Sequence, residues 1–283
     1  MDPLVSPSWL FERLGSARLN ILDATLAPPG SAPGIPPYEQ YLSAHIPGAH
    51  FFDIDRLSDN TTPLPHMLPS AERFARDMQQ LGVSEDALIV VYEQGDVFSA
   101  PRAWWMLRSL GAKRVYILDG GLPGWQQAAL PVETGPVPTT AASFHAAPDP
   151  EAVSSIHRIK LVLSEEAQHR TQILDARSRA RFAGTAPEPR PGIASGHMPG
   201  SLNVPYTELI RDGRMKPSTE LTTLFRQWGV DLERPVITTC GSGVTAAVIA
   251  LALAICGATQ VSLYDGSWAE YARDPEAVIE RAL

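Results

Sequence analysis

Cysteine is scarce in this chain: Cys240 and Cys256 are the two thiols among 283 residues. Two thiols exclude a disulfide framework and a four-cysteine zinc site, so any sulfur chemistry belongs to free thiols. Long apolar runs are missing as well. The longest, Val244 to Cys256, covers about 13 residues and includes Thr245, whereas a membrane span needs about 20. The opening MDPLVSPSWLFERLG lacks a basic stretch followed by an apolar one, so no signal peptide is expected. Positive charge is in deficit: 23 basic against 31 acidic residues give a net charge of −8, and such a field repels phosphate backbones. These absences point to a cytoplasmic protein with no membrane and no nucleic-acid partner.

Proline, by contrast, is in excess. Its 26 residues are about 9% of the chain, against a usual level near 5%. They cluster at 28–37, 63–69, 131–150 and 187–191, and each cluster marks a loop, because proline lacks the donor that helices and central strands require. The cluster near the midpoint sits where a linker between domains is expected.

Internal repetition supports that division. ILDA at 21–24 recurs at 173–176, and HIPGA at 45–49 recurs as HMPGS at 197–201; Asp23 to His45 and Asp175 to His197 are both 22 residues. LGAKRVYILDGG at 110–121 matches CGATQVSLYDGS at 256–267 at an offset of 146. A repeat this long is a duplicated domain rather than a solenoid unit. The expected organisation is a first domain over 1–135, a proline-rich linker over 136–152 and a second domain over 153–283.

Within each copy, short apolar strands alternate with amphipathic helices. Strands are expected at 20–23, 87–92 and 114–118, then at 172–175, 235–239 and 260–264. Helices are expected at 71–81, 101–110, 220–228 and 244–255. Apolar strands separated by helices imply an α/β fold in which each domain is a buried parallel sheet flanked by helices. Ligands in such sheets sit beyond the carboxyl ends of the strands. VITTCGSGVT falls there in the second copy and IVVYEQGDVF in the first. At an offset of 146, Gln94 stands opposite Cys240.

The segment around Cys240 carries the strongest chemical signal. Strand residues run into Cys240, then Gly241, Ser242, Gly243, Val244 and Thr245, then an alanine-rich helix. Glycines let successive N–H groups curl toward one centre, and the helix adds its positive end. A thiolate held in that cradle is stabilised for nucleophilic attack. Cys256, mid-helix among Ala and Ile, reads as packing. Cysteine-dependent phosphatases place an arginine six residues after the cysteine; Ala246 stands there instead, so the phosphate clamp is missing.

HIPGAHFFDID, APRAWWMLRSLG, DGGLPGW, GTAPEPRPGIASGHMPGSLNVPY, CGSGVTA and YDGSW together resemble the two-domain rhodanese sulfurtransferases over nearly the whole chain. Within that family the neutral Gly241–Ser242 pair resembles the members that use 3-mercaptopyruvate. Thiosulfate-preferring members carry basic residues after the cysteine. The resemblance implies two tandem rhodanese-like domains, the second catalytic and the first an inactive duplicate. It implies transfer of sulfur from 3-mercaptopyruvate through a Cys240 persulfide, with release of pyruvate. A thiol such as thioredoxin, a small thiol or cyanide would be the acceptor, with no metal and no cofactor. Arg181 and Arg190 match the arginines that bind the donor's carboxylate and carbonyl. Ser242, His66 and Asp55 match a Ser–His–Asp proton relay. Arg177 and Arg179 lack such a match and read as structural or surface pairs. His45 and His197, each before a Pro-Gly turn, read as duplicated structure. Two other functions stay open at this point: a thiosulfate:cyanide sulfurtransferase, and a module that carries a persulfide or binds a protein without turnover.

Overall fold

The computed structural model describes residues 2–32, 34–164 and 171–281. The chain divides into two units. The first contains residues 1–59, 68–150 and 212–215, and the second contains 60–67, 151–211 and 216–283.

In the first unit, β1 (Leu4–Val5), β2 (Leu19–Asp23), β3 (Ala49–Phe51), β4 (Leu88–Tyr92) and β5 (Arg114–Leu118) form one sheet in the order β1-β5-β4-β2-β3. Every pairing in it is parallel. Ile89 to Tyr92 of β4 are all buried, as a central strand covered on both faces demands. Helix Ala71–Leu81 matches its expected bounds because both ends are marked by local chemistry. Ser70 Oγ accepts from the Arg73 N–H at one end, and Gly82 takes a left-handed φ of 79° at the other. The core gathers Val5, Leu10, Ile21, Val90, Tyr92, Leu118 and Trp125. The Trp125 indole N–H is satisfied by the carbonyl of Pro131 at 2.7 Å.

The second unit repeats this plan. Its strands are β6 (Val153–Ser154), β7 (Gln172–Asp175), β8 (Leu202–Asn203), β11 (Val236–Thr239) and β12 (Val261–Tyr264), and β9 (Ile210–Arg211) and β10 (Arg214–Met215) lie outside both five-stranded sheets. The order β6-β12-β11-β7-β8 is that of the first sheet, again parallel throughout. Helix Ala246–Ile255 is buried from Ala246 to Leu253 and packs against β11, β12 and helix Ser218–Gln227. An element apolar on all sides has to be enclosed in this way. Cys256 caps the end of that helix and is half-buried, so it is not the mid-helix residue expected.

The expected strands and helices are found with ends shifted by two residues or fewer. The two-residue edge strands β1, β6 and β8, and the three-residue β3, were not anticipated, being too short to show periodicity. His45 and His197 occupy matching structural places. Each Nδ1 bonds a backbone carbonyl, Tyr41 O at 2.9 Å and Phe182 O at 2.8 Å, and each residue forms an isolated bridge, with Glu133 and Glu280 respectively.

Candidate active site

Cys240 follows β11 at its carboxyl end, beside β7, where the strand order of the sheet reverses. It is 2% exposed. Its backbone is tied to the start of helix Ser267–Tyr271. The Cys240 N–H donates to Ser267 Oγ at 3.3 Å, and the Cys240 carbonyl accepts from the Trp268 N–H at 2.9 Å. The next carbonyl, Gly241, accepts from the Ala269 N–H at 3.0 Å. Cys240 is thereby anchored, and residues 241–245 turn from strand to helix through Gly243, whose φ of 78° suits glycine. Ser242 and Val244 are buried in that turn.

Gly241 is packed in a different way. Its φ is not left-handed, but a Cβ built there would lie 2.8 Å from Nη2 of Arg181. The Arg181 guanidinium therefore lies directly over the loop. Glu188 holds it from the other side: Arg181 Nε donates to Oε1 at 3.2 Å and Nη2 donates to Oε2. Glu188 also accepts from Nη1 of Arg177 at 2.9 Å.

Arg177 is fully buried. It grips Asp175 at the end of β7 through Nε and Nη2, donates to the Gly196 carbonyl at 2.8 Å, and lies 4.2 Å from the ring centroid of Trp268. Burial works against its charge, but Asp175 and Glu188 outweigh it and hold the guanidinium above its ordinary range. Arg190 is pulled the other way. Burial lowers it, the attraction of Cys240 opposes that, and the neighbouring charges of Arg181 and Arg273 lower it further. Arg190 thus lies within the fields of Cys240, Arg181 and Arg273. Arg179 pairs with Glu208 through two bonds in an exposed position.

His66 belongs to the second unit, in the segment 60–67 that interrupts the first unit's run of sequence. Its Nδ1 shares a hydrogen bond with Ser242 Oγ at 3.0 Å. It sits at a φ of 59°, a left-handed conformation that few non-glycine residues adopt. Asp55 lies in the first turn of helix Ile54–Leu57, in the first unit. The second unit therefore brings together Cys240, Gly241, Ser242, Gly243, Val244, Thr245, Arg181, Arg190 and His66. Glu188 is the residue the sequence reading missed. It stands between the prolines of PEPR, and nothing local marks its carboxylate as buried.

The first unit corrects the alignment of the two copies. Asp23 pairs with Tyr92 as Asp175 pairs with Thr239. The Leu122 N–H donates to the Glu93 carbonyl as the Trp268 N–H donates to the Cys240 carbonyl. Glu93, not Gln94, is therefore the counterpart of Cys240. The Glu93 side chain turns into its own loop and accepts from the N–H groups of Phe98 (2.9 Å), Ser99 (2.8 Å) and Ala100 (3.2 Å), and from Ser99 Oγ (2.9 Å). Burial pushes its carboxyl up to about 7 against those four hydrogen bonds. Gln94 instead donates to Asp23 Oδ2 at 2.8 Å and to the Ala44 carbonyl.

Among the described residues no group of three or more His, Cys, Asp or Glu could hold a metal ion, and no helix is long and apolar enough to cross a membrane.

Two parallel sheets of one topology, each with a strand-to-helix loop at its switch point, define a tandem α/β protein whose second loop bears a thiol. The rhodanese-like domain matches twice, at residues 6–128 and 160–274, and the chain belongs to the rhodanese family. It is 48% identical to the 3-mercaptopyruvate sulfurtransferase of Escherichia coli K12, over 98% of this chain and 97% of that one. It is 40% identical to the thiosulfate sulfurtransferase of Mus musculus, over 95% of this chain and 92% of that one. The crystal structure of an Escherichia coli 3-mercaptopyruvate sulfotransferase superposes with a TM-score of 0.86 at 46% identity, covering 95% of this chain and all of that one.

Proposed function

We propose that this protein is a 3-mercaptopyruvate sulfurtransferase that works through a persulfide on Cys240. One observation carries the choice of donor: Cys240 is followed by a neutral loop, while Arg181 lies over Gly241 and Arg190 shares the field of the thiol. A donor whose carboxylate stands away from its sulfur fits cations placed beside the loop. Thiosulfate, with its charge next to the transferred sulfur, fits cations within it.

In the first half-reaction the Cys240 thiolate attacks the donor's sulfur. The S–S bond forms as the C–S bond breaks, and the electron pair leaves with the carbon as the enolate of pyruvate. Protonation of that enolate completes the product. Arg181 and Arg190 bind the donor's carboxylate and carbonyl through paired hydrogen bonds. Ser242 and His66 pass the proton between donor and solvent. The N–H groups of 241–245 stabilise the persulfide's outer sulfur. In the second half-reaction a nucleophile takes this sulfur and the thiolate returns. Thioredoxin, a small thiol or cyanide would serve, and no metal or cofactor enters either step.

The test compares kcat/KM for mercaptopyruvate and thiosulfate at one pH, with cyanide as acceptor and mass spectrometry of the loaded protein. A mercaptopyruvate preference with one added sulfur on Cys240 is expected. A thiosulfate preference would replace the proposed donor, and a single burst without steady turnover would replace the enzyme by a persulfide carrier.

A further inference from the structure

We propose that Glu188 is a positioning residue: it holds Arg181 against the Cys240 loop and so determines where the donor's carboxylate binds. This rests on the reading of Arg181 as a carboxylate-binding group. Glu188 has a side chain only 3% exposed, and a carboxylate so enclosed is costly unless it is paired. It is paired twice, with two arginines in different settings. Arg177 is sealed, its side chain 0% exposed, whereas Arg181 is 24% exposed.

The sealed arginine is the rigid end of the chain of contacts. Asp175, at the end of β7, takes its Nε and Nη2, Gly196 takes a further bond, and the ring of Trp268 covers its face. Glu188 continues that anchorage outward, with one oxygen shared between Arg177 Nη1 and Arg181 Nε. Its second oxygen takes Arg181 Nη2. The pairing uses the Nε–Nη2 edge of Arg181 and leaves the edge that includes Nη1 for a donor's carboxylate. Gly241 supplies independent support. Its backbone conformation would admit a side chain, but Nη2 lies 2.8 Å from where Cβ would be and would have to move to make room for one. Arg181 is thus confined between a buried carboxylate and the bare backbone of the loop.

A purely structural role through Arg177 predicts different behaviour, and a double-mutant cycle separates the two. Glu188→Gln should lower kcat/KM for mercaptopyruvate by about 10- to 150-fold, the range for one charged hydrogen bond, mainly through KM. The inhibition constant of pyruvate should rise with it. Discharge of a preloaded persulfide to cyanide, which has no carboxylate, should keep the unmodified rate. Arg181→Ala should cause a loss of similar size, and the double variant should be no worse than Arg181→Ala alone. Losses that multiply in the double variant, or an unchanged KM in Glu188→Gln, overturn the proposal. Should Glu188→Gln fail to fold, Gly241→Ala crowds Nη2 from the loop side and leaves the carboxylate in place. A KM rise there supports the positioning, and an unchanged KM overturns it. Absence of mercaptopyruvate turnover in the unmodified protein is a separate failure, that of the donor assignment itself.

Discussion

His66 and Ser242 stand 176 residues apart in the chain, yet Nδ1 of one lies 3.0 Å from Oγ of the other. Two features make the contact informative. Ser242 sits within the turn that follows the thiol, and His66 holds a backbone conformation that is uncommon for a residue with a side chain.

If this pair moves the proton, His66→Ala should lower kcat with mercaptopyruvate by roughly 10²–10⁴, the usual contribution of a positioned acid–base group. The pH–rate profile should change with it. An enzyme with unaltered kcat and pH profile would make His66 a loop residue and Ser242 a hydroxyl of the turn.

The two thiols should separate cleanly. Cys240→Ser should abolish sulfur transfer, because an alkoxide is inaccessible near neutral pH and oxygen cannot carry the persulfide. Cys256→Ser should transfer sulfur normally: its thiol lies at a helix end, 3.8 Å from the Ser218 carbonyl, and burial pushes it up, away from the thiolate form. Mass spectrometry after donor treatment checks both, and a persulfide that disappears in Cys256→Ser would reverse the assignment.

Donor choice can be probed inside the turn. Ser242→Lys brings a cation into the loop and should raise thiosulfate use relative to mercaptopyruvate. Gly241→Arg should cost mercaptopyruvate activity through displacement of Arg181 rather than through backbone strain, since Gly241 is not left-handed. A donor ratio unmoved by Ser242→Lys would show that loop charge does not select the donor.

Glu93 gives the first unit a pH-dependent stability. Its folded pKa is raised from 4.5 to about 7, so the fold favours the neutral carboxyl. Below 4.5 both the folded and unfolded forms are protonated and the group costs nothing. As pH climbs from 4.5 to 7 the unfolded chain ionises first and stability falls, by on the order of 3 kcal/mol, then levels off. Glu93→Gln removes this dependence. The stability of the parent relative to the variant should therefore shrink across that window, measured by hydrogen exchange of the 94–100 amides. A difference that stays flat would mean that the four donors offset the burial, and one that grows with pH that they favour the ion.

The two copies show how far a linear alignment reaches. ILDA aligns with ILDA, and YILDGG with SLYDGS, because strands and their following turns repeat locally. Between these anchors the offset changes, and only the ladder of β4 on β2, read beside β11 on β7, places Glu93 opposite Cys240. Hydrogen-bond register is a property of neighbouring strands, so counting along one chain cannot supply it.

Local pattern was sufficient for the parallel sheets, the main helices and the Cys240 turn. Apolar runs, capping residues and glycines act within a few residues of themselves, and that information lies in the sequence. Arg181 and Arg190 could be singled out by motif, but not what holds them. Whether Glu188 is a solvated loop charge or a buried bridge between Arg177 and Arg181 depends on how β7, the 177–190 segment and Trp268 pack. The same holds for His66, which the chain order groups with the first half and the fold places beside Ser242. Burial and pairing between distant residues are set when the elements close on one another, because the cost of enclosing a charge and the partner that offsets it exist only in the assembled structure.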